Sequence, residues 1–241
     1  MPAEQSFPAP VEFVRNAERY FAALAAHANP EESLGGSLLY AGSLDDDTRA
    51  LVAAANVTGA ATLVVAADTA AQKQAARDGI ADFLVTSLDE ALRILKNEIR
   101  KRATVAVCVA ASSAELEREM LERGVVPDLV SADVASLFPA ARAIETCPVH
   151  DPAVRIEWSV STAPALWMPK LDEIARACLP IDNAAAHRWL RLAPRYCGRA
   201  AMSLRVLRCP SKIADEFSAR IAAGIVDGSI GVPIEVRITA D

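Results

Sequence analysis

The sequence predicts an α/β protein: a Rossmann-like, doubly wound parallel sheet followed by a C-terminal αβ extension. Between residues 35 and 135, short apolar segments of strand length alternate with longer segments of helical periodicity. The connections between the apolar segments are long enough for helical crossovers, which join parallel strands and cover both faces of a sheet. These two observations together define the fold class.

The predicted strands are nearly continuous apolar runs, as expected for strands buried on both faces. They cover residues 37–41, 62–65, 83–85, 104–109 and 128–130. Helices are predicted at 46–56, from Thr69 to just before Gly79, from the Ser87 region onward, and at 113–123. Ser, Thr and Asp precede these helices and Gly follows three of them, which is typical of helix N-caps and C-caps.

The remaining residues are assigned to two flanking parts. Residues 1–34 form an N-terminal helical segment, whose helix should end near Asn29 and Pro30. After the Rossmann-like domain at 35–135, residues 136–241 form a proline-containing connector up to about 165 and then an αβ unit. That unit has helices at 171–178, 183–192 and 213–225 and strands at 201–207 and 233–238. It either joins the same sheet or forms a separate lobe.

Composition excludes several classes of protein. The 241 residues are 52% hydrophobic with a net charge of −6, which is unlike a disordered chain or a nucleic-acid binder. The longest apolar run, at 103–111, is too short to span a membrane, and no basic segment followed by an apolar stretch suggests a signal peptide. We therefore expect a cytoplasmic protein without membrane contact.

Five cysteines without any CxxC pair indicate reduced thiols rather than a disulfide framework. Cys147 and His150 lie close together, and Cys178, His187 and Cys197 follow, but these spacings match no compact zinc pattern. A packed or surface role for His187 and structural roles for the thiols are therefore favoured over a metal site.

In a doubly wound fold, the loop after the first strand is where a pyrophosphate binds. Gly42 and Ser43 lie there, but Asp45, Asp46 and Asp47 follow, and three carboxylates would repel a phosphate. Capping of the next helix is the favoured role of these aspartates, with a magnesium site as the alternative. Asp68, after the second strand, either grips a ribose or caps a helix, and capping is again favoured.

Several segments, in order along the chain, resemble the urocanase (urocanate hydratase) family. They include residues 20–22 (YFA), 34–38 (LGGSL), 58–63 (TGAATL), 87–92 (SLDEAL), 122–130 (ERGVVPDLV), 179–183, 188–191 (RWLR) and 228–234. The resemblance implies a homodimer that holds NAD⁺ tightly and uses it as an electrophile while water adds to urocanate.

The same comparison indicates that the cofactor and catalytic motifs are replaced. The family's glycine-rich loop aligns with residues 45–51, and its acidic ribose-binding position falls at Ala66, two residues before Asp68. Its glycine–asparagine pair becomes Ala111 and Ser112, and its reactive cysteine falls at Leu207, two residues before Cys209. Cys209 follows no recognisable local motif, so a free structural thiol is expected there.

Three hypotheses follow. The chain is a shortened, catalytically degenerate urocanase relative without a cofactor, acting as a binding, regulatory or scaffold subunit. Alternatively it keeps a pocket for NAD⁺, another nucleotide or a small molecule at the carboxyl edge of the sheet, lined by Gly42, Ser43, Asp68 and Ser112, as in a hydro-lyase with an altered site. A third hypothesis is a self-associating scaffold whose second αβ unit forms a dimer surface.

Overall fold

The computed structural model describes residues 10–29, 33–145 and 153–240. The strands in these ranges are β1 (Leu38–Ser43), β2 (Ala61–Val65), β3 (Phe83–Val85), β4 (Val105–Val109), β5 (Leu129–Ser131), β6 (Arg142–Ile144), β7 (Ala153–Ser159), β8 (Leu204–Pro210) and β9 (Glu235–Ala240). The helices are α1 (Pro10–Ala25), α2 (Asp46–Thr58), α3 (Thr69–Arg77), α4 (Leu88–Lys101), α5 (Ser113–Glu122), α6 (Pro164–Cys178), α7 (Ala184–Tyr196) and α8 (Ser211–Val226). Two short 3₁₀ helices, Ala132–Leu137 and Gly198–Ala201, complete the set.

The first sheet has six parallel strands in the order β3-β4-β2-β1-β5-β6. This order confirms the predicted doubly wound, Rossmann-like fold. Strands β2, β3 and β4 all lie on one side of β1, and the chain then crosses to the other side of β1 to form β5 and β6. The point where the strand order reverses therefore lies between β1 and β5, which is where ligands bind in open sheets of this kind.

The two faces of this sheet bury different layers. Leu39 and Ala41 of β1 belong to the core beneath α2, whereas Leu38 and Tyr40 belong to the core beneath α4 and α5. Strands β1, β2 and β4 are buried almost throughout, since helices cover both faces. Their continuous apolar composition, which predicted them from the sequence, is the direct consequence.

Helix ends follow the predicted capping chemistry. Asp45, Ser87 and Ser112 accept hydrogen bonds from backbone N–H groups in the first turns of α2, α4 and α5. Gly59 closes α2 in the left-handed region with φ of 92°. A side chain there would be strained, and its Cβ would lie 3.0 Å from Nη2 of Arg188.

The C-terminal part forms its own antiparallel sheet, ordered β8-β7-β9, with α6, α7 and α8. It does not extend the parallel sheet, which settles the alternative left open by the sequence. Strands β6 and β7 were not predicted, because β6 has a single buried apolar residue, Ile144, and β7 carries charged residues between its apolar ones. Since β6 pairs with β5, the parallel sheet extends beyond residue 135; the three-part division of the chain otherwise stays a prediction.

Helix α1 connects the two sheets. It packs on α2 of the parallel sheet and on β8 of the antiparallel sheet. The ring of Phe21 lies 5.0 Å from that of Trp189 in α7. Nε and Nη2 of Arg15 donate to the two carboxylate oxygens of Glu157 in β7, over 2.6 and 2.8 Å. The N-terminal helix is therefore part of the core and not an appended segment.

We expect replacement of Glu157 by Gln to lower the free energy of unfolding by about 1–3 kcal/mol at pH 7, because the buried Arg15 pair is lost. Arg15 holds the pKa of Glu157 below its usual value. This stabilisation is therefore complete above the unfolded-state pKa, about 4.3, and disappears as the pH falls through the lower folded-state pKa.

Urea unfolding of both proteins between pH 3 and pH 7 measures this difference. The matched control is Arg19→Gln on the same helix, whose exposed pair with Asp47 spans 3.9 Å and should contribute less than about 0.5 kcal/mol. Equal stability of E157Q and wild type at pH 7, or a loss that does not shrink as the pH falls toward 3, would contradict the prediction.

Candidate functional site

The predicted site residues lie at the carboxyl ends of three neighbouring parallel strands. Gly42 and Ser43 end β1, Asp68 follows β2, and Ser112 follows β4. Because these strands are parallel and adjacent, all four residues face one edge of the sheet. Gly42 is buried, Ser112 is half-buried, and Ser43 and Asp68 are exposed.

The N-terminus of α2 is occupied by the chain's own carboxylates. Oδ1 of Asp45 accepts from the backbone N–H of Thr48 over 2.7 Å. Asp46 and Asp47 stand in the first turn. The Tyr20 hydroxyl donates to Asp47, and burial together with that carboxylate raises the pKa of Tyr20. The predicted capping role is confirmed for Asp45, while Asp46 and Asp47 lie in the first turn, where their charge complements the helix dipole.

Asp68 and Ser112 also cap helices. The two carboxylate oxygens of Asp68 accept from the backbone N–H groups of Ala70 and Ala71, over 3.0 and 3.1 Å. The hydroxyl of Ser112 donates to Oε2 of Glu115 over 2.7 Å, and the Glu115 N–H donates back to that hydroxyl over 3.3 Å. These bonds hold the pKa of Glu115 below its usual value. Each side chain is thus engaged with the helix that it begins.

The reversal point between β1 and β5 is lined closely by the chain itself. Gly42 has φ of +82°, and a Cβ there would lie 3.5 Å from Oγ of Ser131 and 3.8 Å from Cγ1 of Val134. Ser131 ends β5, and Val134 belongs to the 3₁₀ helix that follows it. Side chains of this segment therefore stand beside the end of β1.

The residues at this edge do not fit the pyrophosphate of NAD⁺. A helix N-terminus binds phosphate through free N–H groups and its positive dipole end. At α2, Asp45 takes the Thr48 N–H, and the carboxylates of Asp46 and Asp47 add negative charge. A dianionic pyrophosphate would meet three carboxylates instead of glycine backbone. No reaction step through NAD⁺ follows from this arrangement.

The thiols of the described part are free and buried. They are Cys108, Cys178, Cys197 and Cys209. Burial raises the pKa of Cys209 to about 11, and the nearby Glu18 carboxylate adds to the effect. A nucleophilic cysteine needs a lowered pKa and access to solvent. Cys209 has neither, in keeping with the expected structural thiol.

The residues considered for metal binding are scattered. Within residues 10–29, 33–145 and 153–240, no group of three or more His, Cys, Asp or Glu side chains is arranged to hold a metal ion. His187 lies in α7, where its Nε2 is 3.0 Å from the carbonyl of Pro180. Cys147 and His150 lie outside the described residues. No helix of the described part is long and apolar enough to cross a bilayer.

A cavity of about 710 Å³ lies elsewhere, toward the amino ends of β1 and β2. Three arginines line it: Arg176 of α6 and Arg188 and Arg191 of α7. The sequence analysis missed this site and recorded two of these arginines only as matches to a family segment. The one available signal was the spacing of Arg188 and Arg191, which places both on one helix face.

We expect Asp68→Ala and Ser112→Ala each to lower the free energy of unfolding by about 1 kcal/mol, because each removes an N-cap. Urea unfolding measures the change. The control is Asp215→Ala, at an exposed residue that caps no helix, and its stability should stay within about 0.5 kcal/mol of wild type. Stabilities equal to wild type for both cap variants would show that these side chains serve something other than the helices.

We expect the four described thiols to resist a thiol-specific reagent at pH 8 in the folded protein, because burial keeps them protonated and inaccessible. The measurement uses Cys147→Ser, so that only these thiols are counted. In concentrated denaturant all four should react. Rapid reaction of one thiol in the folded protein, traced to Cys209 by its loss in Cys209→Ser, would overturn the structural assignment.

Comparison with protein families agrees with the fold. Residues 15–142, more than half of the chain, match the family model of the urocanase Rossmann-like domain. The matched range runs from α1 to the start of β6 and so contains every parallel strand up to that point. The chain belongs to the urocanase family.

Proposed function

We propose that this urocanase-family chain is catalytically degenerate and acts as a binding, regulatory or scaffold subunit rather than as a urocanate hydratase. The observation that carries the proposal is the N-terminus of α2. There Asp45 satisfies a first-turn N–H group, and the carboxylates of Asp46 and Asp47 stand where a dinucleotide would place its pyrophosphate.

The negative charge at the N-terminus of α2 exceeds the positive partial charge of the helix dipole. Phosphate binding at a helix N-terminus depends on net positive potential from the helix dipole, equivalent to about half a charge. Arg19 pairs with Asp47 over 3.9 Å, but the carboxylates of Asp45 and Asp46 still outweigh that partial charge. Catalysis by preorganised electrostatics also requires several groups held together at once. A single surviving polar residue at this edge, such as Asp68, does not supply them.

Of the three roles, binding is the one supported by a cavity, the arginine-lined space at the other edge of the sheet. Its volume of about 710 Å³ is within the usual range for small-molecule sites. The resemblance to urocanases further implies a homodimer, which we retain as a proposal.

Native mass spectrometry of the freshly purified full chain tests the proposal. We expect a spectrum without bound NAD⁺. We also expect no hydration of urocanate in a separate assay that follows the ultraviolet absorbance of urocanate, which would fall if the protein hydrated it. An active urocanase purified in the same way is the positive control for cofactor retention. The same spectrum reports the subunit count.

Two results would contradict the degenerate role. NAD⁺ retained on each subunit would mean that the carboxyl edge binds the dinucleotide despite its aspartates. Turnover of urocanate would restore the alternative, an NAD⁺-dependent hydro-lyase with an altered pocket. In that case Gly42, Ser43, Asp68 and Ser112 would be the first residues to replace.

A further inference from the structure

The arginine-lined cavity is formed by elements that are distant in the sequence. Helix α7 supplies Arg188 and Arg191, and α6 supplies Arg176. The end of α1 and the end of α2 close its other sides, with Phe21 and Thr58. The cavity is thus built into the junction of the two sheets.

The positive charge in this cavity is only partly balanced by the protein, since Asp172, which is bonded to Arg205, also acts on the charge of Arg176. Among the described residues, no carboxylate lies within 4 Å of the guanidinium groups of Arg176, Arg188 or Arg191 as an ion pair. Asp182 is the one carboxylate among the described residues that line the space. Burial lowers the pKa of Arg188 and the neighbouring charge of Arg191 lowers it further. Like charges held together in a partly desolvated cavity favour a bound anion.

Arg188 is held rigidly in place. Its Nε donates to the carbonyl of Val57 over 2.5 Å, and its Nη2 is 3.0 Å from the position of a Cβ on Gly59. One edge of the guanidinium is therefore anchored on the C-terminal end of α2, where the helix dipole favours a cation. A preorganised guanidinium loses less entropy when it binds a ligand.

One wall of the cavity is apolar and small, whereas polar side chains such as Ser33, Thr58 and His187 line other parts of it. Phe21, Ala25 and Ala28 of the α1 region face Ala184 and Ala185 at the start of α7. These residues offer no hydrogen-bonding side chains, so they suit the hydrocarbon part of a ligand rather than a second charge. The N-terminus of α7, capped by Asn183 over 3.1 Å to the Ala186 N–H, adds its positive dipole end.

We propose that this cavity binds a small organic carboxylate, with its anionic group between Arg176, Arg188 and Arg191 and its apolar body against Phe21 and the surrounding alanines. Planar guanidinium groups pair with carboxylates through two parallel hydrogen bonds. The mixture of a cationic end and an apolar wall favours a carboxylate with a hydrocarbon body over inorganic phosphate. The inference deepens the proposed binding role by naming its ligand class.

Isothermal titration calorimetry of the full chain against a small panel tests this site. Benzoate and succinate are the carboxylate probes, benzamide is the uncharged counterpart of benzoate, and inorganic phosphate is an anion without an apolar body. We expect benzoate to bind more tightly than phosphate, benzamide not to bind, and affinity to fall as salt is raised.

The variants Arg191→Gln and Arg176→Gln locate the site. Each should weaken benzoate binding about tenfold, because a charge-assisted hydrogen bond is removed. Arg195→Gln is the matched control on the same helix: its guanidinium lies over the Tyr196 ring at 5.2 Å, outside the cavity lining, and its loss should leave affinity unchanged. Arg188 is not replaced, because it also supports α2.

Three results would overturn the inference: no binding of either carboxylate by the wild type, tighter binding of phosphate than of benzoate, or equal weakening by R191Q and R195Q. Folding of each variant is checked by its urea midpoint, and one folded variant, R191Q or R176Q, is enough to locate the site. Both of these variants could fail to fold. In that event the benzoate–benzamide comparison on the wild type still decides. NAD⁺ retention would overturn the degenerate role separately and would leave this cavity unaffected.

Discussion

The rest of the structure depends on the complete enclosure of α2. Every residue of this helix from Arg49 to Thr58 is buried, beneath α1 and α7 on one side and above β1 and β2 on the other. Its alanines, at 50 and at 53–55, keep the helix narrow enough for neighbours to approach from several directions. The alanine-rich composition therefore reflects close packing of layers rather than a conventional large-residue core.

This enclosure also joins the two sheets. One continuous core includes residues of β1, α2 and α1 together with residues of β7, β8 and helices α6, α7 and α8. A second, smaller core lies on the opposite face, beneath α4 and α5. Polar bonds follow the same geometry: Arg15 reaches Glu157 across the junction, and Arg188 reaches the end of α2. The cavity lined by arginines exists because these elements meet without filling the space between them.

The two edges of the parallel sheet carry opposite charge, and the anionic carboxyl edge reverses what phosphate binding at a helix N-terminus requires. At the carboxyl edge, Asp45, Asp46 and Asp47 make the N-terminus of α2 anionic. At the amino edge, Arg176, Arg188 and Arg191 make the cavity cationic. The fold tolerates this reversal because apolar burial and helix caps maintain it regardless of what either edge binds. Membership of the urocanase family therefore accounts for the architecture, whereas the charge at each edge depends on the particular residues of this chain.

The sequence by itself determined the local structure of the first half. Buried strands such as β2 and β4 are continuous apolar runs, and Asp45, Asp68 and Ser112 cap helices through bonds that span only two or three residues. Local bonds of this kind can be read from spacing alone. Strand β7 could not, since its buried Glu157 is paired with Arg15, 142 residues away, as well as with Arg155 of the same strand.

Only the tertiary structure decided which arginines share one cavity. The cavity draws on α1, α2, α6 and α7, whose contributing residues lie between 21 and 191 in the chain. No local pattern marks them, because their proximity results from the packing of α7 on α2. The sequence specified which side chains carry charge, and the packing specified which of those charges are left facing one another.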